Sequence, residues 1–297
     1  MDQAGAFNIA DFVPVLKPFD IQGLTRKIKV MRKIMDKILD TFITEHEEAA
    51  GTTRPKGYEP DFVDILLSVF DKHEENRGDS IDVIDRDSVK AILVDMIVAG
   101  IDTSRTTIEW IMTELLRHPR ILKKLQQEIK IVVGDADIVE DKHLSKLEYL
   151  DMVIKEDFRL HSTVPLLIPR ESMEDIVMDG YFIPKKSRIL INCWAIGRDP
   201  AVWSENVLEF IPERFADKKI ELKGHDYELL AFGSGRRVCP GMNLGLLKVR
   251  QIVAQLVHSF DFELPNKMLA SELDMDEKFG LALPRDNHLC LLPTVRI

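Results

Sequence analysis

One long helical stretch constrains the fold more than anything else in the chain. It runs from Ser88 to His118, Asp85 or Asp87 can cap its start, and Pro119 ends it. At 1.5 Å per residue it is on the order of 45 Å long, more than most globular helices reach. A helix of that length crosses a whole domain. The chain has 297 residues, which suits one large domain or two ordinary ones and is enough to bury a core.

Charge and cysteine count remove several function classes. Forty basic residues against fifty acidic ones leave a net charge of −10. Nucleic-acid binding needs a basic footprint, so nucleic acid is not an expected partner. With 45% hydrophobic and 30% charged residues, the chain is neither disordered nor fibrous. Cys193, Cys239 and Cys290 cannot all pair, which excludes a disulfide scaffold and a four-cysteine zinc site. The first five residues lack a signal-peptide layout. The strongest apolar stretch, Ala91 to Gly100, spans ten residues and contains Asp95, whereas crossing a bilayer takes about twenty. The chain as written therefore reads as soluble or peripheral.

Around the long helix the pattern is mainly α with minor β. Seven basic residues (Lys17, Arg26, Lys27, Lys29, Arg32, Lys33, Lys37) cluster near the start. They read as a solvated helix face, or as contact with an anionic membrane surface or acidic partner. Gly51 to Pro60 reads as a loop. Further helices are expected over Arg120 to Val133 and Ser145 to His161. Asp175 to Met178 and Tyr181 to Ile183 flank Asp179-Gly180, the signature of a hairpin with a type I′ turn. Arg188 to Cys193 reads as a strand and Asp199-Pro200 as a turn. A last helix begins near Gly241, with Met242, Leu246, Val249, Val253, Leu256 and Phe260 on one stripe. Short strand-like pieces close the chain.

Three constellations carry chemistry. The first is Phe232-Gly233-Ser234-Gly235-Arg236-Arg237-Val238-Cys239-Pro240-Gly241, just before the last helix. Free amides and the positive dipole end at a helix N-terminus favour a thiolate. Glycines let the backbone approach something flat. A helix-capping loop with a buried cysteine, a nucleophilic cysteine and an axial haem ligand are all readings of such a loop. The haem reading accounts for more of its residues. Phe232, Gly235, Arg237 and Cys239 resemble the Phe-x-x-Gly-x-Arg-x-Cys signature of the cytochrome P450 family. The resemblance implies Cys239 as axial ligand of the haem iron, Arg237 as a propionate partner, and Phe232 and Gly233 as cofactor-binding neighbours.

The second constellation is Glu156 and Arg159, three apart on one helix face. Alone, such a pair is mostly a surface ion pair. The resemblance implies instead a buried structural triad completed by Arg214 of Pro212-Glu213-Arg214-Phe215, which locks the segment presenting Cys239. The third is Ala99-Gly100-Ile101-Asp102-Thr103-Ser104, mid-way along the long helix. Glycine, aspartate and threonine are mediocre helix formers. The segment is a packing notch or a break over a cofactor face. It is similar to the family's oxygen-activation motif, which implies Asp102 and Thr103 as catalytic proton-relay residues.

The resemblance covers essentially the whole chain, with the motifs in family order and phrases similar to plant microsomal members. Arg170 lies where members often supply another propionate base. Val164, Leu166 and Ile168 read as substrate-pocket wall, as do Val94, Val98 and Phe279 to Leu281. Ser162 and Ala231 stand where proline is common. Trp194 to Arg198 matches the family's propionate-holding Trp-x-x-x-Arg helix by letters only, because it follows the Glu-x-x-Arg helix. The membrane anchor, much of the N-terminal sheet and the first helices have no counterpart here. Residues 1–297 are thus expected to be the C-terminal part of a single cytochrome P450 domain, its fold incomplete at the N-terminus.

The function implied is a haem-thiolate monooxygenase. It would insert one oxygen atom from O2 into a small apolar organic substrate, a plant specialised metabolite. No nucleotide-binding glycine loop accompanies the motifs, so an NADPH-cytochrome P450 reductase is the expected electron donor. The implied location is the cytosolic face of the endoplasmic reticulum membrane, with membrane-surface contact in the full-length form. The alternative is a non-catalytic truncated fragment that binds haem weakly or not at all.

Overall fold

The computed structural model describes residues 5–51, 57–75 and 85–296. Residues 52–56 of the expected loop lie outside them. The chain divides into two compact units, one of Ala6–Gly100 and one of Ile101–Ile297 with the first five residues.

The smaller unit is helical. A short α1 (Ile9–Phe12) leads to a two-turn 3-10 stretch (Pro14–Phe19) and then to α2 (Leu24–Ala50) and α3 (Phe62–Glu75). Leu39 and Ile43 of α2 meet Leu67 of α3 and Val89 and Leu93 at the start of α4 (Arg86–Arg117). The Asp85 carboxylate accepts the Ser88 amide at 2.7 Å, so Asp85 is the cap of the long helix. Arg86 and Lys90 reach Asp40 at 3.4 and 2.7 Å. The basic residues of α2 are exposed, as are Ile28, Met31, Ile34, Ile38 and Phe42.

The larger unit holds the main core. Its helices are α5 (Pro119–Val133), α6 (Asp141–Leu144), α7 (Glu148–Leu160), α8 (Cys193–Ile196), α9 (Pro200–Trp203) and α10 (Met242–Ser259). Ile111 and Leu115 of α4, Leu125 and Ile129 of α5, Leu150 and Val153 of α7, and Val249, Val253 and Val257 of α10 close on one another. The buried seam of α10 is Val249, Val253, Ala254 and Val257. Met242, Leu246, Leu256 and Phe260 of the expected stripe are half-buried at its margin.

Strands are short and antiparallel: β1 (Arg170–Glu171) with β4 (Arg188–Ile189), β2 (Ile176–Met178) with β3 (Tyr181–Ile183), and β5 (Phe260–Glu263) with β6 (Leu292–Val295). Asp179 and Gly180 both take positive φ, 49° and 81°, as a type I′ turn requires.

Three sequence expectations shift for identifiable reasons. The third helix begins at Glu148 rather than Ser145, because Glu128 of α5 accepts the amides of Tyr149 and Leu150 at 2.7 and 3.1 Å and fixes the start there. The strand over Arg188 to Cys193 stops at Ile189. Asn192 accepts the Ala195 amide at 3.0 Å and turns the chain into α8. Asp199 likewise caps α9 through Ala201 at 2.9 Å, so the expected turn opens a short helix.

Candidate haem-thiolate site

The cysteine loop is closed by its own backbone. The Cys239 amide donates to the Phe232 carbonyl at 2.9 Å and the Val238 amide to Gly235 at 3.0 Å. Gly233 and Gly235 take φ of 72° and 70°, which a side chain would strain. Cys239 is half-buried and α10 follows at Met242 with no side-chain cap, so its first amides are left on the cysteine side. Phe232 sits edge-on to Phe158 of α7 at 5.2 Å between ring centres, anchoring the loop on that helix.

The segment after α7 lies alongside the loop. Leu167, itself at φ 50°, lies within 3.8 Å of where a Gly233 Cβ would stand. Arg170 donates to the Arg237 carbonyl at 3.1 Å. The Arg237 guanidinium is exposed and carries no hydrogen bond or ion pair among the described residues. Cys239, Phe232, Gly233, Arg237 and Arg170 therefore form one neighbourhood.

The Glu-x-x-Arg pair is fully buried. Arg159 Nε and Nη2 each donate to Glu156 at 2.8 Å. Its remaining protons go to the carbonyls of Gly197 and Val207 at 2.7 Å and Glu209 at 3.0 Å. All five guanidinium donors are committed. Arg214 approaches Glu156 at 3.4 Å and donates to the carbonyls of Trp203 and Asn206. Glu156 also accepts the Ile211 amide at 2.7 Å. Two charged residues on α7 thus hold four backbone groups in two segments, Gly197 and the stretch from Val207 to Ile211.

Asp102 and Thr103 lie on α4, whose helical geometry continues through Gly100 and Thr103. The expected break is absent because the hydrogen-bond ladder tolerates an isolated glycine at a cost of about 1 kcal/mol. A Cβ at Gly100 would meet nothing within 4 Å. The Asp102 carboxylate pairs with Arg105 at 2.9 Å. The Thr103 carbonyl accepts the Thr107 hydroxyl at 3.1 Å, and that hydroxyl lies 3.0 Å from Thr163. This pair is joined to the segment after α7 through Thr107, one turn on. Leu166, Ile168, Val98 and Phe279 of the expected pocket wall are exposed. Arg198 donates to the Leu160 carbonyl at 2.6 Å and lies over the Trp194 ring.

Sequence reading missed a polar cluster between α4 and α7. Glu114 meets His161 Nε2 at 2.7 Å and His118 Nδ1 at 3.1 Å. The two histidines hold its carboxyl down to about 2, against the opposing effect of burial. His161 stacks on Trp110 at 4.1 Å, and Trp110 donates to the Leu283 carbonyl. A glutamate four residues beyond a tryptophan on an apolar helix was the available signal.

A helical molecule with a glycine-lined cysteine loop ahead of its last long helix, pinned by a buried Glu-x-x-Arg pair, has the architecture of a haem-thiolate protein. The cytochrome P450 family model matches residues 1–291. The chain is 54% identical to CYP736A12, a cytochrome P450 from Panax ginseng, over 99% of this chain and 58% of that protein. It is 42% identical to a flavonoid 3',5'-hydroxylase, CYP75B138, of Crocosmia x crocosmiiflora, over 100% of this chain and 55% of the other. A zebra fish cytochrome P450 structure with progesterone superposes with a TM-score of 0.77 at 29% identity, over 93% of this chain and 60% of that one. The chain belongs to the cytochrome P450 family, whose cofactor is thiolate-ligated haem. It spans a little over half the length of the curated relatives it matches.

Proposed function

We propose that this chain is the haem-ligating part of a monooxygenase that oxidises a small apolar organic molecule of the plant specialised-metabolite class. The cysteine loop carries the reading. Cys239 would ligate the iron, with Gly233 and Gly235 letting the backbone lie against the macrocycle and Phe232 fixing the loop on α7. The residues fit the group: the loop is glycine-lined, its cysteine is half-buried beside uncapped amides, and Arg237 has a guanidinium uncommitted among the described residues. Arg237 and Arg170 would hold propionates.

Haem bound there would supply oxygen activation, with Cys239 as the thiolate that tunes it. The Asp102 carboxylate, held by Arg105 at 2.9 Å, and the Thr103 hydroxyl would hold and pass on protons. Glu156, Arg159 and Arg214 hold the segment that presents Cys239. Electrons would come from an NADPH-cytochrome P450 reductase. We read residues 1–297 as part of one such domain, working at the cytosolic face of the endoplasmic reticulum with the basic stretch of α2 toward the anionic surface. No helix among the described residues is long and apolar enough to cross a membrane. The flavonoid hydroxylase among the relatives supports an aromatic substrate class.

The test is the carbon-monoxide difference spectrum of the reduced chain, expressed with haem supplied. A red-shifted, thiolate-type Soret band is expected, and Cys239→Ala abolishes it. A band that persists in the variant would overturn the ligand assignment. In a reconstituted system, Thr103→Ala is expected to consume NADPH without matching product. Unchanged coupling would remove Thr103 from the relay.

A further inference from the structure

One buried acid in the larger unit has no partner. Asp157 on α7 is fully buried, and neither of its carboxylate oxygens meets a hydrogen-bond partner among the described residues. The charged groups around it offer no relief. Glu156 adjoins it on α7, and Glu114 acts on it from α4. Both are anions, so both oppose its charge.

The nearby cations are engaged elsewhere. Arg159 has given its donors to Glu156 and three carbonyls. Arg214 serves Glu156 and the loop carbonyls. His161, beyond the end of α7, gives Nε2 to Glu114, and its Nδ1 meets neither Asp157 nor any other partner among the described residues; His118, beyond the end of α4, lies against the Glu114 carbonyl and carboxylate. Arg285, from the tail, lies over the Trp110 ring and donates to the Asn287 carbonyl.

A buried carboxylate is tolerated only with a cation, a metal ion or a proton. No cation remains. A metal ion needs converging ligand atoms. Among the described residues the converging set is His46, Asp61 and Asp64, in the other unit. A proton is left. We infer that Asp157 is a neutral carboxylic acid in the folded chain, and that unfolding releases its proton, so that the fold loses stability as pH rises.

The direction follows from linkage. Burial first, then Glu114 and Glu156, raise the folded-state carboxyl well above its ordinary value. In the unfolded chain the same group titrates near about 4. Between those two points the folded chain keeps the proton and the unfolded chain has released it. Unfolding then gains up to about tenfold for each rise of one pH unit. The same helix, α7, carries the Glu156–Arg159 pair and the Phe158 contact to the cysteine loop. The proton at Asp157 is therefore held on the helix that makes both of these contacts. The inference does not depend on haem.

The experiment is urea unfolding of the full chain and of Asp157→Asn, a neutral side chain of the same shape, from about pH 5 to about pH 9. The ratio of unfolding constants, wild type over variant, should climb with pH by up to about tenfold per unit. A ratio that does not change with pH overturns the inference. A second reading needs no variant: infrared spectra of the wild-type chain carrying carbon-13-labelled aspartate. A carbonyl stretch of a protonated, labelled carboxylic acid is expected at neutral pH and should vanish on unfolding. Its absence overturns the inference, and this reading decides alone if Asp157→Asn does not fold.

Discussion

At the scale of single residues, the Glu156–Arg159 pair shows how far letters reach. The spacing placed both on one face, and the family resemblance made them a buried pair. The acceptors that make the arginine irreplaceable are backbone carbonyls of Gly197, Val207 and Glu209, and a sequence does not display carbonyls. Two variants separate charge from geometry. Glu156→Gln leaves a buried guanidinium without its counter-charge and is expected to cost about 3–5 kcal/mol in urea unfolding. Arg159→Lys keeps the charge but loses the planar five-donor fork, so it too should destabilise strongly. A lysine variant as stable as wild type would mean that charge alone holds the segment and that the carbonyl contacts are incidental.

At the scale of elements, most helices were legible because their signals are local: a cap, an apolar stripe, a proline. The misplaced ends share one cause, which is side-chain oxygens capping backbone amides. Glu128 caps α7 from α5, a neighbour twenty-one residues away in sequence, and only packing brings such a cap into place. The cysteine loop is similar. Its glycines were legible, but its support by a second loop was not. A Cβ at Gly224 would stand 2.5 Å from the Gly233 carbonyl oxygen, and Gly224 has φ of 78°. Ser234 donates to the Gly224 carbonyl at 2.5 Å, tying the same two loops together. Gly224→Ala should therefore destabilise the chain by about 1–3 kcal/mol, since the residue is strained and the neighbouring atom is backbone. If the cysteine loop holds haem, the same variant lowers haem uptake, read as a smaller carbon-monoxide difference band per mole of chain. A variant with wild-type unfolding and haem uptake would show that the two loops are not coupled.

At the scale of the whole molecule, the long helix α4 gathers two histidines through one carboxylate. Glu114 faces His161, beyond α7, and His118, at the junction with α5. The two sides of this contact respond to pH in opposite senses. Hydrogen bonds from the histidines hold Glu114 at about 2 in the folded chain against an ordinary 4.5. Its contribution is therefore complete above about 4.5 and is lost as pH falls toward 2. The Glu114 hydrogen bond raises the His118 value above its ordinary 6.5. That contribution is complete below 6.5 and is lost as pH rises through the folded-state value. The contact is strongest in the window between 4.5 and 6.5. Glu114→Gln should remove this dependence while keeping the shape of the side chain. The difference in urea midpoint between wild type and Glu114→Gln is expected to be largest in that mildly acidic window and to shrink on both sides. A difference that is flat with pH, or greatest at alkaline pH, would show that Glu114 acts by packing and not by charge. The alkaline side separates this contact from Asp157: loss of the His118 contribution ends once that histidine is neutral, whereas the Asp157 effect on wild type persists in Glu114→Gln, weakened only by removal of one neighbouring anion.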